Sequence, residues 1–107
     1  MTAARIRELN DAFRRSFSGG RVLLTRGVSL LDEAEVRALL DAVRRFDAFS
    51  GDNDPHREHD FGAFEVNGER YFWKIEYFDA AGEFGSENPA DPAVTLRVLT
   101  LMLASEY

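Results

Sequence analysis

Two residues in the second half of the chain, Asn67-Gly68, constrain the fold more than any others. Asn-Gly is the preferred pair for the left-handed dihedrals of a two-residue type I′ turn, whose twist matches that of the strands it joins. The flanking runs, Phe61 to Val66 and Glu69 to Phe78, read as those strands. A two-residue loop sets Val66 opposite Glu69, Glu65 opposite Arg70, Phe64 opposite Tyr71, Ala63 opposite Phe72 and Gly62 opposite Trp73. Gly62, Phe64, Val66, Tyr71, Trp73, Ile75 and Tyr77 then share one face, the expected core face, and Gly62 leaves room beside the indole of Trp73. The other face carries Phe61, Ala63, Phe72 and Phe78, with Glu65 opposite Arg70, and Lys74 and Glu76. A face that is half apolar is expected either to be covered by a helix or loop or to meet a partner.

Upstream the period is helical. Ile6, Leu9, Phe13 and Phe17 predict an amphipathic helix from about Ala3 to Phe17, stopped by Gly19-Gly20. Arg21 to Arg26 reads as a short strand centred on Val22, Leu23 and Leu24 and closed by Gly27. Asp32 opens a second helix, with Glu35 three residues later as the other half of a capping box. Its apolar stripe is Val36, Leu39, Leu40, Val43 and Phe46. Downstream, a Gly- and acid-rich connection from Asp79 to Ala90 leads to Asp91-Pro92. Asp at the N-cap and Pro at the first helical position predict a third helix. Val94, Val98, Leu99, Leu101, Met102 and Leu103 cover most of its circumference, so it is expected to be buried on more than one side. The order α-β-α-β-β-α describes one α+β domain over residues 1–107. Its sheet is small and mostly antiparallel, with helices packed mainly on one face.

Composition narrows the function classes. Hydrophobic residues make up 45% of 107 and aromatics 12%, enough for a core and against intrinsic disorder. Without cysteine there is no disulfide framework, thiol nucleophile or Cys-based zinc or iron–sulfur site. No apolar run approaches the roughly 18 residues of a membrane span, and the first residues lack the apolar core of a secretory signal. The expectation is a small soluble cytoplasmic domain. The net charge of −6 hides a polarity, with +4 over residues 1–27 and −10 over residues 28–107. Arginines 5, 7, 14, 15, 21 and 26 could grip an anion, but pairing with the chain's own acids, Glu8 and Asp11 among them, is the plainer reading. The acidic remainder would repel a phosphate backbone, so nucleic acid is not the expected ligand and a basic protein partner is.

Both histidines fall in one polar loop, Asp52-Asn53-Asp54-Pro55-His56-Arg57-Glu58-His59-Asp60. Imidazole and carboxylate suit zinc, manganese, nickel or non-haem iron. His56, His59 and Asp60 are therefore candidate ligands of a divalent metal, with Glu58 the candidate base of a small metal-dependent hydrolase. The run matches neither H-E-x-x-H nor the Asp-rich calcium loop. Asp, Asn and Pro are also turn formers whose side chains bond nearby backbone, and Asp60 or His59 could fasten the start of the hairpin in that way. The structural reading is the stronger of the two.

The strings DNDPH, EHDFGAF, FWKIEY, NPADPAVT and RVLTLMLA, in this order, resemble a family of small, mainly alphaproteobacterial proteins catalogued only as a domain of unknown function. The similarity runs from the second helix to the C-terminus and more weakly through the first helix. Arg57 stands where the resemblance leads us to expect Gly. The resemblance implies accessory genes of plasmids and other mobile elements, and with them an anti-defence or regulatory binding role. The leading expectation is thus a non-catalytic binding protein with no cofactor. It would act through Asp52, Asp54 and Glu58 of the loop and Phe61, Phe72 and Lys74 of the hairpin, and reversing the three acids should weaken a complex without unfolding the domain. The alternatives are the metal-dependent hydrolase and a homodimer formed through the apolar back of the hairpin.

Overall fold

The computed structural model describes residues 2–107, and its hairpin forms as the turn chemistry requires. Asn67 and Gly68 have φ of 53° and 82°. Strands β2 (Phe61–Val66) and β3 (Glu69–Phe78) pair in the register derived above, from Val66 opposite Glu69 to Gly62 opposite Trp73. Trp73 is fully buried, and a Cβ on Gly62 would overlap its indole. Phe46 and Phe49 meet the same indole edge-on, at 5.5 and 6.1 Å between ring centres.

The largest departure from expectation lies at the C-terminal end. Leu96–Leu103 is a strand, β4, and not a helix. It lies between β3, antiparallel with Trp73 opposite Leu101, and β1 (Gly20–Leu24), parallel with Val22 beside Leu99. The sheet order is β1-β4-β3-β2. Arg97, Leu99, Leu101 and Leu103 share the face of Trp73, while Val98 and Met102 are buried on the other. A central strand apolar on both faces loses its two-residue alternation, so its pattern imitates a buried helix. Asp91 does cap, but only a turn: its carboxylate accepts from the Ala93 amide at 2.9 Å.

Helices α1 (Thr2–Ser16) and α3 (Glu33–Arg45) form where the periodicity places them. Asp32 accepts from the Glu35 amide at 2.8 Å, one half of the expected capping box. The first strand is shorter than expected and ends at Leu24. Arg26–Ser29 instead forms a single helical turn, α2, entered from Thr25. Glu106, in the last short helical turn, holds that entry by accepting from the Thr25 hydroxyl at 2.6 Å and the Gly27 amide at 2.9 Å. Phe13, Val28, Leu39 and Val43 carry the three helices onto one sheet face, against Tyr71, Trp73, Ile75, Leu99 and Leu101. The fold is α+β, with an open, mostly antiparallel sheet. No described helix is long and apolar enough to cross a membrane.

On the opposite face Phe61 and Phe72 pack together, 5.2 Å between ring centres. Tyr107 lies against both, at 6.2 and 5.4 Å. Lys74 reaches Glu76 at 3.5 Å and stands 5.9 Å from the centre of the Tyr107 ring. The hairpin's back is thus partly covered by the chain's own C-terminus.

Candidate functional site

The polar loop between α3 and β2 is held by side chains from α1. Ile6, Asn10 and Phe13 follow at helical spacing, so Asn10 is a polar residue inside the buried stripe, and Arg14 is carried in one turn later. The Asn10 amide nitrogen donates to the Glu58 carbonyl at 3.0 Å and to the Tyr77 hydroxyl at 2.7 Å. Its oxygen accepts from Arg97 Nε at 2.7 Å. The Tyr77 hydroxyl donates onward to the Glu58 carboxylate at 2.9 Å, and Arg97 reaches the Pro89 carbonyl. Four segments far apart in sequence meet here with their polar atoms paired, as low-dielectric surroundings demand. Burial raises the Tyr77 pKa far above the usual phenol range and lowers that of the Arg97 guanidinium.

A second set of contacts fixes His59. Its Nδ1 lies 2.9 Å from Asp11 Oδ1, and its backbone amide donates to Asp54 Oδ1 at 3.1 Å. The ring stacks on Phe49, 3.7 Å between centres and 3° from parallel. Asp11 also receives Arg14 Nη2 at 3.1 Å. Arg14, with no exposed surface, donates through Nη1 to the carbonyls of Val43 and Arg44 at 2.9 and 3.2 Å. It thereby closes the C-terminus of α3, where the helix dipole favours a cation. Its guanidinium lies over Phe49 and Trp73, 5.5 and 5.3 Å from the ring centres. Burial lowers its pKa, against the pull of Asp11.

The sequence-derived candidates separate on this scaffold. Asp54 is 6% exposed and Glu58 is tied to Tyr77, so neither is free for a partner, and reversing them would strike the fold rather than a surface. Asp52 is exposed, while Phe61, Phe72 and Lys74 are half-buried on the hairpin's back. His56 is exposed and joins no hydrogen bond or ion pair among the described residues, whereas His59 is committed to Asp11. Asp60 is half-buried, and burial followed by the charge of Glu58 raises its pKa. Its carbonyl accepts from the Ile75 amide at 2.8 Å, fastening the start of the hairpin through the backbone and not the side chain. Among the described residues no three His, Cys, Asp or Glu side chains are placed to hold one metal ion. Arg57 adopts φ 58°, the left-handed conformation that Gly takes most readily.

A surface that pattern reading missed lies at the other end of the core face. Between α3 and the hairpin tip is a groove of about 510 Å³ whose apolar lining includes Leu31, Ala38, Leu39, Val66 and Leu103. Asp32, Glu35 and Glu69 also line it, and no Lys or Arg does. Tyr71 also lines this groove. Burial raises its pKa, helped by the charges of Glu69 and Glu35.

A family model described as "Protein of unknown function (DUF3768)" matches residues 24–106. The chain belongs to that family. No curated protein and no solved structure matches the chain. The DUF3768 match contains the polar loop, the hairpin, β4 and every residue named for the groove. It leaves out α1, so Asn10, Asp11 and Arg14, which hold the DUF3768 loop in place, lie outside the matched segment.

Proposed function

We propose that this protein is a non-catalytic binding domain whose partner presents a basic segment with a large apolar anchor. The observation that carries this reading is the acid-rimmed apolar groove between α3 and the hairpin tip. An apolar side chain seated over Leu39 and Val66 would be desolvated at the centre, and cations beside it would meet Glu35 and Glu69 at the rim. That arrangement combines a buried anchor with charge steering. It agrees with the net −10 of residues 28–107, and such binding suits an accessory or regulatory role.

The test is peptide selection on the whole chain, followed by affinity measurements against Glu35→Lys/Glu69→Lys and against Ala38→Arg. Glu35 donates only its backbone amide to the cap, Glu69 lies at a strand end, and Ala38 is on the exposed part of α3, so these variants keep the fold. Selected peptides should be net basic with a bulky apolar residue, and should weaken about tenfold or more on both variants and on raising salt. Peptides that bind all three proteins alike would place the docking surface elsewhere.

A further inference from the structure

The sheet ends at β1, with no strand beyond it among the described residues. Val22 extends the core row of Ile75 and Leu99, and Leu24 extends that of Trp73 and Leu101. Arg21 and Leu23 lie on the back of the sheet, beside Val98 and Thr100. Leu23 and Leu24 thus point to opposite faces, and they are 50% and 36% exposed. The edge is therefore open to solvent on both faces, and its outward N–H and C=O groups form a template for a further strand. Charge or proline blunts many natural edges, and Val22-Leu23-Leu24 has neither.

The charge here is opposite to that of the groove. Arg21 in the strand and Arg26 just past its end are exposed and reach no carboxylate among the described residues. The acid in the row of Arg21 is Glu76, which stands two strands away and 3.5 Å from Lys74. Near Arg26, Glu106 is spent on the Thr25 hydroxyl and the Gly27 and Leu103 amides. A second copy paired edge to edge would bring both copies' Arg21 and Arg26 to one seam, which like-charge repulsion opposes. The other edge, β2, carries Glu65 and no cation, so an acidic strand is steered to β1.

We infer that β1 accepts an added strand from a partner protein, an extended segment with one acidic residue next to a run of three apolar ones. The acid stands beside Arg21, and the apolar residues stand beside Val22, Leu23 and Leu24. Main-chain hydrogen bonds hold the strand, and side chains alternating between the two faces set its register. The added side chains lengthen both core rows by one position and cover Leu23 on the back.

The experiment is an amide NMR titration of the full chain with two end-blocked peptides. These are Thr-Glu-Val-Val-Val-Thr for parallel pairing and its reversed sequence for antiparallel pairing. Control peptides replace Glu by Lys, or the central Val by Pro, which removes a ladder donor. One acidic peptide should saturate in the millimolar range, with shifts and slowed amide exchange centred on β1 residues 20–24. Its Lys and Pro counterparts should bind about tenfold or more weakly. Arg21 has no side-chain partner among the described residues, so Arg21→Glu keeps the fold. It should reverse the preference from the Glu peptide to the Lys peptide, which mere stickiness of the exposed leucines would not do. The inference is overturned if neither acidic peptide shifts residues 20–24, if the Pro peptide binds equally well, or if Arg21→Glu leaves the preference unchanged. Shifts at those residues on diluting the peptide-free chain would also overturn it, by making a second copy the occupant. Glu35→Lys/Glu69→Lys should leave this binding unchanged, since no lining residue of the groove belongs to β1. Failure of the groove reading and failure of this one are therefore seen separately.

Discussion

Asn10→Leu should cost this protein a large share of its stability, although the two side chains branch alike at Cγ. Asn10 is fully buried and makes three hydrogen bonds. Substitution orphans the Glu58 carbonyl, removes a donor from the Tyr77 oxygen and strips Arg97 Nε of its acceptor. The two neutral bonds account for about 1 kcal/mol each, and the bond from a buried cation for about 1.5–3 kcal/mol, giving a loss of roughly 3–5 kcal/mol. Small domains have about 5–15 kcal/mol in all. Trp73, the only tryptophan, is fully buried at the centre of the core and reports unfolding directly by fluorescence in urea. The double variant Asn10→Leu/Arg97→Met removes the stranded cation as well. It should recover part of the loss, since replacing both partners by apolar groups of similar shape is much cheaper than orphaning one. A single substitution costing under about 1 kcal/mol, or a double variant whose cost is the simple sum of the singles, would refute the argument that these groups act as one network.

Gly62→Ala should cost roughly 1–3 kcal/mol through overpacking against the indole, and should weaken the near-ultraviolet dichroism of Trp73 even where the chain stays folded. Asp60 supplies a pH dependence with a definite sign. Its folded pKa lies above its unfolded value, so its contribution is fully present below the unfolded pKa and is lost as pH rises through the folded one. Asp60→Asn removes that titration. Urea midpoints measured from acid to neutral pH should therefore fall less steeply for the variant than for the parent, and identical slopes would contradict the assignment.

Local chemistry settled the elements whose cause lies within a few residues. Asn67-Gly68 admits the left-handed dihedrals of one tight turn, and that turn dictates the pairing down to Gly62 against Trp73. Asp32 and the stripe from Val36 to Val43 likewise determine α3, because capping and helical spacing are properties of neighbours along the chain. The same local logic failed at Leu96–Leu103. Whether an apolar run of eight residues extends or coils depends on what flanks it, and only the assembled sheet supplies β3 on one side and β1 on the other. A run of that length with Val98 and Thr100 was the available hint of a strand. Two further signals pointed at the buried network: Asn10 within an apolar helix stripe, and Arg97 as a lone charge in an apolar run. Their meaning was invisible without their partners. Asn10 is separated by 48 residues from Glu58 and by 87 from Arg97. The sequence placed His59 and Asp54 on one loop, but α1 and Phe49 decided that His59 turns inward to Asp11 while His56 stays in solvent. Packing therefore selected which charges became internal and which stayed in solvent, because desolvation is a property of the surroundings and not of the residue.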